Sequence, residues 1–100
     1  MADRALEGLR VVEFADELGS YCGRLLADLG ADVIKVESPA GDYIRRMTWP
    51  IVEGVSLMHL HINRGKRSVV LDLRTPEGAD VFRDLVRDAD VVIEAMRPGG

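Results

Sequence analysis

The sequence predicts an α/β fold, a mostly parallel sheet with helices on both faces, built from two consecutive βαβ units. Three observations carry that prediction. Leu25 to Glu37, LLADLGADVIKVE, reads as a helix, a turn and a strand in immediate succession. The same succession returns from Thr75 to Glu94, where the Ala-Asp-Val of 31–33 recurs at 89–91. Short apolar runs, Leu9 to Phe14 and Ser68 to Leu73, precede the two helices. Strand, helix and strand therefore follow one another twice, each time within about 30 residues, the length of a βαβ crossover.

In chain order, LRVVEF (9–14), with β-branched Val11 and Val12, is the first strand. Ala15 to Ser20 form a loop, and Ser20 is placed to cap the following helix through its hydroxyl. Cys22, Leu25, Leu26 and Leu29 fall at i, i+3, i+4 and i+7, a stripe expected to face the core. Gly30 ends the helix because it takes a left-handed conformation without a Cβ penalty. Val33, Ile34 and Val36 form the second strand. From Ser38 to Ser68 the pattern breaks at Pro39, Gly41, Pro50, Gly54 and Gly65, leaving irregular structure with one helical turn within Ser56 to Ile62. Such a stretch is more often a binding loop or lid than a plain connector. Ser68 to Leu73 is the third strand, and Thr75-Pro76 starts a helix, with Thr as N-cap and Pro at the first position. Phe82, Leu85, Val86 and Ala89 repeat the apolar stripe, and Asp90 to Glu94 is the fourth strand.

Composition bounds the partners. One hundred residues suit one compact unit, or part of a larger one, and 47% hydrophobic with 30% charged residues excludes disordered and fibrous classes. No stretch approaches the roughly 18 apolar residues of a membrane span. The first ten residues, MADRALEGLR, carry charges where a signal peptide needs its apolar centre, and the single Cys22 allows no internal disulfide. A cytoplasmic chain with no membrane partner is expected. The net charge of −4 argues against a nucleic-acid partner. Arg45, Arg46, Arg64, Lys66, Arg67 and Arg74 nevertheless cluster in the middle of the chain, so a local anionic partner fits.

In an open α/β sheet, ligands bind outside the carboxyl ends of the strands. Those ends are the loop after Phe14, the residues after Glu37, the turn at Leu73 and Arg74, and Ala95 to Arg97. Gly19 and Gly23 before a helix, with Glu37 ending the second strand, give a Rossmann-like outline. GxGxxG is absent, however, and Asp16 and Glu17 bring negative charge where a pyrophosphate would lie. GxxxxGK[ST] is absent as well. Asn63 to Ser68, NRGKRS, gathers three cations around a glycine, either to receive a phosphate or as a solvated turn. His59 and His61 share a face only in an extended segment, and a zinc site would need carboxylates to complete it, so no metal is expected. Cys22 reads as a small core residue rather than a thiol activated by the helix start. Trp49 either covers a ring-shaped ligand or packs the loop. Asp28, Asp80, Asp84 and Asp88 fall on helix faces that meet water.

Four segments, LEGLRVVEF, LLADLGADVIKVE, NRGKRSVVLDLRTPEG and ADVVIEAMRPGG, in this order from Leu6 to Gly100, resemble the N-terminal part of the class III CoA-transferases. That family includes formyl-CoA transferase, carnitine CoA-transferase and 2-methylacyl-CoA racemase. The resemblance implies a Rossmann-like core with coenzyme A lying along the strand ends, in an interlocked homodimer of longer chains. It implies acyl-CoA and a carboxylic acid acceptor as substrates, with CoA as a substrate moiety and no tightly bound cofactor. In the family's transferases an aspartate attacks the acyl-CoA to give a mixed anhydride. CoA then forms an enzyme thioester, and the acceptor acid completes the exchange. The aspartate falls beyond residue 100, as do the racemase's proton-transfer groups. Residues 1–100 are therefore expected to be the N-terminal part of the family's large domain, cut short after its fourth strand and inactive alone.

Carried over position by position, the family's CoA contacts match Glu17 and Leu18 after the first strand and Ser38 after the second. They match Leu71, Asp72, Leu73 and Arg74 at the end of the third, and Ala95, Met96 and Arg97 after the fourth. Three departures accompany the match. Gly19-Ser20 stands where members often have Gly-Pro, Ser38 where they have arginine, and Ala95 where they have asparagine. Without that arginine, contact shifts to Arg45, Lys66 or Arg97. The alternatives are the racemase branch, a stand-alone nucleotide-binding or regulatory module, and a truncation that folds poorly because its strand edges lack neighbours.

Overall fold

The computed structural model describes residues 4–15, 17–41, 43–46, 50–52 and 55–95. Strand β1 (Arg10–Phe14) is followed by helix α1 (Glu17–Asp28) and strand β2 (Asp32–Glu37). A 3-10 turn (Tyr43–Arg46), two short strands, β3 (Pro50–Val52) and β4 (Val55–Ser56), and helix α2 (Leu57–Ile62) come next. Strand β5 (Arg67–Val70), helix α3 (Pro76–Arg87) and strand β6 (Val91–Glu94) complete the order. No helix among the described residues is long and apolar enough to cross a membrane.

The main sheet is parallel throughout, in the order β5-β2-β1-β6. The chain starts inside the sheet, steps outward to β2 and β5, and then returns across β1 to place β6 on its other side. All four carboxyl ends thus share one edge, and the direction of winding reverses between β1 and β6. Side chains alternate along a strand, so Val11 and Glu13 face one side of the sheet while Val12 and Phe14 face the other. On the first side Val11 and Val33 pack with Ala27 of α1 and Ala31, flanked by Leu6, Leu9, Leu26 and Ile93. On the second, Phe14 meets Phe82 of α3 edge-on, with ring centroids 6.1 Å apart. Helices cover both faces, as the sequence predicts.

The helix ends follow local chemistry. Gly30 has φ +106°, its N–H donates to the Ala27 carbonyl at 3.0 Å, and the Ala31 N–H donates to the Leu26 carbonyl at 3.0 Å. This is the Schellman arrangement that satisfies the last carbonyls of a helix. At the start of α3 the Thr75 hydroxyl accepts from the Gly78 N–H at 3.1 Å and donates to the Asp72 carbonyl at 2.8 Å. The cap therefore also fastens the turn that leaves β5.

Four expectations are corrected. Helix α1 begins at Glu17, so Ser20 is not its N-cap; it lies in the first turns, fully buried, with its hydroxyl directed at Glu13. The face of α1 toward the sheet is Ser20, Gly23 and Ala27, whereas Cys22, Leu25 and Leu29 are exposed and only Leu26 of the expected stripe packs on the core. The reason lies beneath the helix. Glu13, Lys35 and Lys66 occupy the space there, and a Cβ on Gly23 would overlap the Glu13 Oε1 atom. Only small side chains allow that approach. Third, the described residues between 38 and 68 are more regular than expected, and Ser56 joins two of their elements. Its hydroxyl donates to the Ile44 carbonyl at 2.5 Å and accepts from the His59 N–H at 3.0 Å, capping α2. The third strand is also shorter than read, so Leu71 to Leu73 belong to the turn beyond it.

Gly23→Ala separates packing from helix propensity. Propensity alone favours alanine by about 1 kcal/mol, whereas overpacking against a buried carboxylate costs about 1–3 kcal/mol or more. Urea unfolding should show net destabilisation; a stabilised variant would disprove the close approach of α1.

Candidate functional site

At the carboxyl edge of the sheet, Phe14, Ser38, Ala40 and the turn Leu71 to Arg74 line a cleft of about 390 Å³. Strand geometry assembles it. Phe14 ends β1, Ser38 follows β2, and Leu71 follows β5, with the Leu71 N–H donating to the Glu37 carbonyl at 2.9 Å to extend the pairing past the strand. Of the residues expected to contact a ligand, Ser38, Leu71, Asp72, Leu73 and Arg74 are thus brought together. Glu17 and Leu18 lie in the first turn of α1, which leads away from the β1 end. Ala95 follows β6, and a Cβ built on Gly19 would stand 3.6 Å from its side chain, so the start of α1 and the end of β6 are neighbours. Met96, Arg97 and Trp49 lie outside the described residues. Phe14 and Ala40 were not singled out from sequence, although Phe14, as the last residue of a strand, already sat at the edge where ligands bind.

The turn is held by Asp72. Its carboxylate accepts from the Arg74 backbone N–H at 3.0 Å, while the Arg74 guanidinium stands 3.3 Å away. These bonds, the backbone one first, hold the Asp72 carboxyl below its ordinary value of 3.8. The Arg74 side chain is 89% exposed and can reach an anion in the cleft.

Two further ionic groupings flank this edge. Glu37, at the end of β2, is 3% exposed; Arg45 grips both carboxylate oxygens at 2.8 Å, and the Ser68 hydroxyl donates to one of them. Beneath α1, Glu13 is fully buried, with Lys35 Nζ 2.9 Å from Oε2 and Lys66 Nζ 2.7 Å from Oε1, the latter an ion contact without hydrogen-bond alignment. Lys66 also donates to the Ser20 carbonyl at 2.7 Å and to Asn63 Oδ1 at 2.8 Å. The NRGKRS run is therefore not wholly a solvated turn. Lys66 points inward, which removes it as a substitute ligand contact, and Arg67 pairs with Asp32 at 2.6 Å. The signal for the Glu13 grouping was present in the sequence. Charges within interior parallel strands, in VVEF and VIKVE, must be paired when buried, and Glu13 and Lys35 stand directly opposite in register.

The remaining candidates find structural partners. His61 stacks on Tyr21 and contacts Arg24 at 2.9 Å, while His59 meets Asn63 at 3.1 Å. No group of three or more His, Cys, Asp or Glu suited to a metal occurs among the described residues. Asp28, Asp80, Asp84 and Asp88 are exposed, as expected.

The Asp72 tie has a defined pH dependence. A folded-state pKa below the unfolded one means the contribution is complete above about pH 4 and is lost as pH falls through the folded value. An NMR titration of the Asp72 carboxyl should therefore give a midpoint below 3.8, moving up toward that value in Arg74→Ala. A midpoint at or above 3.8 in the unsubstituted chain would remove the tie.

Comparisons with known proteins agree with this architecture. Succinate–glutarate CoA-transferase of Agrobacterium fabrum is 52% identical over 103 residues, covering 95% of this chain and 26% of the relative. Formyl-CoA:oxalate CoA-transferase of a Bradyrhizobium species is 42% identical over 98 residues, covering 96% and 23%. The crystal structure of a CAIB/BAIF family protein from Brucella suis superposes with a TM-score of 0.89 at 49% identity, over 99% of this chain and 28% of the other. The chain thus spans about a quarter of the length of the relatives it matches. The family model described as CoA-transferase family III matches residues 6–100, and the chain belongs to that family.

Proposed function

We propose that this chain forms the coenzyme-A-binding edge of an acyl-CoA:carboxylate CoA-transferase, as the N-terminal part of the family's large domain. The observation that carries the proposal is the cleft itself. Ser38, Leu71, Asp72, Leu73 and Arg74, the positions that match the family's CoA contacts, line one concavity at the sheet's carboxyl edge. Its chemistry suits the ligand: Phe14, Ala40, Leu71 and Leu73 offer apolar surface to the pantetheine or the adenine, and exposed Arg74 offers a cation to a phosphate. Glu17, Leu18, Ala95, Met96 and Arg97 complete the contact set in this reading. CoA serves as a substrate moiety, with no tightly bound cofactor.

Two points favour this reading over its rivals. Glu37 occupies the place of the acid that takes ribose hydroxyls in a nicotinamide-binding fold, but its carboxylate is already engaged by Arg45 and Ser68. Both relatives named above carry transferase names, which favours acyl transfer over racemisation. The nucleophilic aspartate lies beyond residue 100, so the 100-residue chain binds CoA without transferring it. The complete enzyme acts in the cytoplasm as a homodimer, moving CoA from an acyl-CoA to a free carboxylic acid.

Calorimetry with CoA and with NAD tests the reading. CoA should give heat and NAD none, and Arg74→Ala should weaken CoA roughly tenfold, the loss of one charge-assisted hydrogen bond. Tight NAD binding with no CoA heat would overturn it. In a chromatographic assay with succinyl-CoA and glutarate, the chain alone should yield no glutaryl-CoA, and product formation would refute the placement of the nucleophile.

A further inference from the structure

We propose that Lys35 is a positioning residue for the coenzyme site, fastening the end of β1 to the first turns of α1 and thereby setting where the turn that carries Glu17 and Leu18 begins, beside the winding reversal. The inference rests on the CoA-binding reading above and adds to it a residue that touches no ligand.

Three observations carry it. Among the described residues, Lys35 Nζ donates to Glu13 Oε2 at 2.9 Å, the Ala15 carbonyl at 2.6 Å and Ser20 Oγ at 3.1 Å. They belong to β1, to the residue just after it and to α1, so one ammonium group joins Ala15 and the first turns of α1 to the end of the strand. Ala15 in turn abuts Gly19, where an added Cβ would stand 2.8 Å from the Ala15 Cβ and 3.4 Å from Ile93 of β6. A shift of Ala15 therefore changes the approach of α1 to β6, which frames the reversal between β1 and β6. Third, the Lys35 and Glu13 side chains are 2% and 0% exposed. Burying such a pair costs several kcal/mol per ion, and well-packed apolar residues of similar volume are often at least as stable. On energetic grounds the pair is a poor stabiliser. What it supplies is direction, because an ammonium bonded to these acceptors admits few placements of Ala15 and Ser20 relative to Glu13.

The test compares CoA affinity with stability in three variants of the chain. Lys35→Met keeps the side chain's length and removes the ammonium. Ser20→Ala removes a single acceptor. Val11→Ala opens a cavity in the apolar half of the same interface, away from residues 15–20. Calorimetry with CoA is run at a temperature where circular dichroism shows each variant folded. Lys35→Met should weaken CoA at least tenfold and Ser20→Ala two- to fivefold. Val11→Ala, despite a lowered melting temperature, should stay within twofold of the unsubstituted chain. If Lys35→Met does not fold, Ser20→Ala against Val11→Ala decides. Unchanged CoA affinity in Lys35→Met or Ser20→Ala would overturn the positioning role while leaving the CoA reading intact, as would losses that simply follow melting temperature across all three. No CoA heat from the unsubstituted chain would overturn both.

Discussion

The Glu13 carboxylate is the constraint on which the rest of the structure depends. It is fully buried between the sheet and α1, with two ammonium groups within 3 Å. A charge cannot remain there unless cations and polar backbone surround it, and the chain supplies them from three separate places: Lys35 from the adjacent strand, Lys66 from the segment before β5, and Ser20 from α1. These residues are far apart in sequence, so the grouping forms only once β1, β2 and α1 are assembled in the observed register. It also dictates how the helix lies. With a carboxylate directly below, α1 approaches on Ser20, Gly23 and Ala27, and its larger apolar side chains turn away.

The face of the sheet under α1 is accordingly divided along the strands. Near their amino ends it is apolar, with Val11, Val33, Ala27 and Ala31 in contact. Toward the carboxyl ends the same face carries Glu13, Lys35 and Glu37, joined by Lys66 and Arg45. Burial of the first half drives folding through the hydrophobic effect, at about 25 cal/mol per Å². The second half contributes little net free energy once desolvation is counted. Its bonds are directional, however, and they lie beside the edge where the loops must be held in place. One half of the surface thus contributes burial and the other half direction.

This division explains what was legible in the sequence. The four strands of the main sheet, though not the far end of the third, the Gly30 helix end and the Thr75 cap follow from local chemistry and period and were readable, whereas β3 and β4 were not. The buried face of α1 was not, because hydrophobic spacing selects the most apolar stripe, here Cys22, Leu25, Leu26 and Leu29, and contains no information about a charge beneath the helix. Ser20 reads as a cap for a related reason: a serine near a helix start is usually one, and only the neighbouring strand reveals that its hydroxyl serves a carboxylate. The NRGKRS run looked uniform as a list of cations. Its members separate in space, Lys66 inward and Arg67 to Asp32, because β5 starts level with the middle of β2, where Arg67 stands opposite Ile34. The carboxyl edge on which the cleft lies follows from topology, since parallel strands place all their carboxyl ends together, whereas the part played by Phe14 and Ala40 in lining it needed coordinates.

The strand order bears on function only through the chemistry placed upon it. A sheet wound outward from its middle and then reversed is the arrangement that accommodates dinucleotides, and the fold alone would support that reading. At the end of β2, however, the acid that would bond ribose hydroxyls is Glu37, and a bidentate Arg45 together with the Ser68 hydroxyl engages its oxygens. A diol offered to that carboxylate would have to displace charge-assisted bonds that are about twice as strong as neutral ones. The edge therefore presents a neutralised corner at β2, an exposed arginine beyond β5 and an apolar strip between β1 and that turn. That surface suits a long, partly apolar ligand with a phosphate at one end better than a ribose held by an open carboxylate.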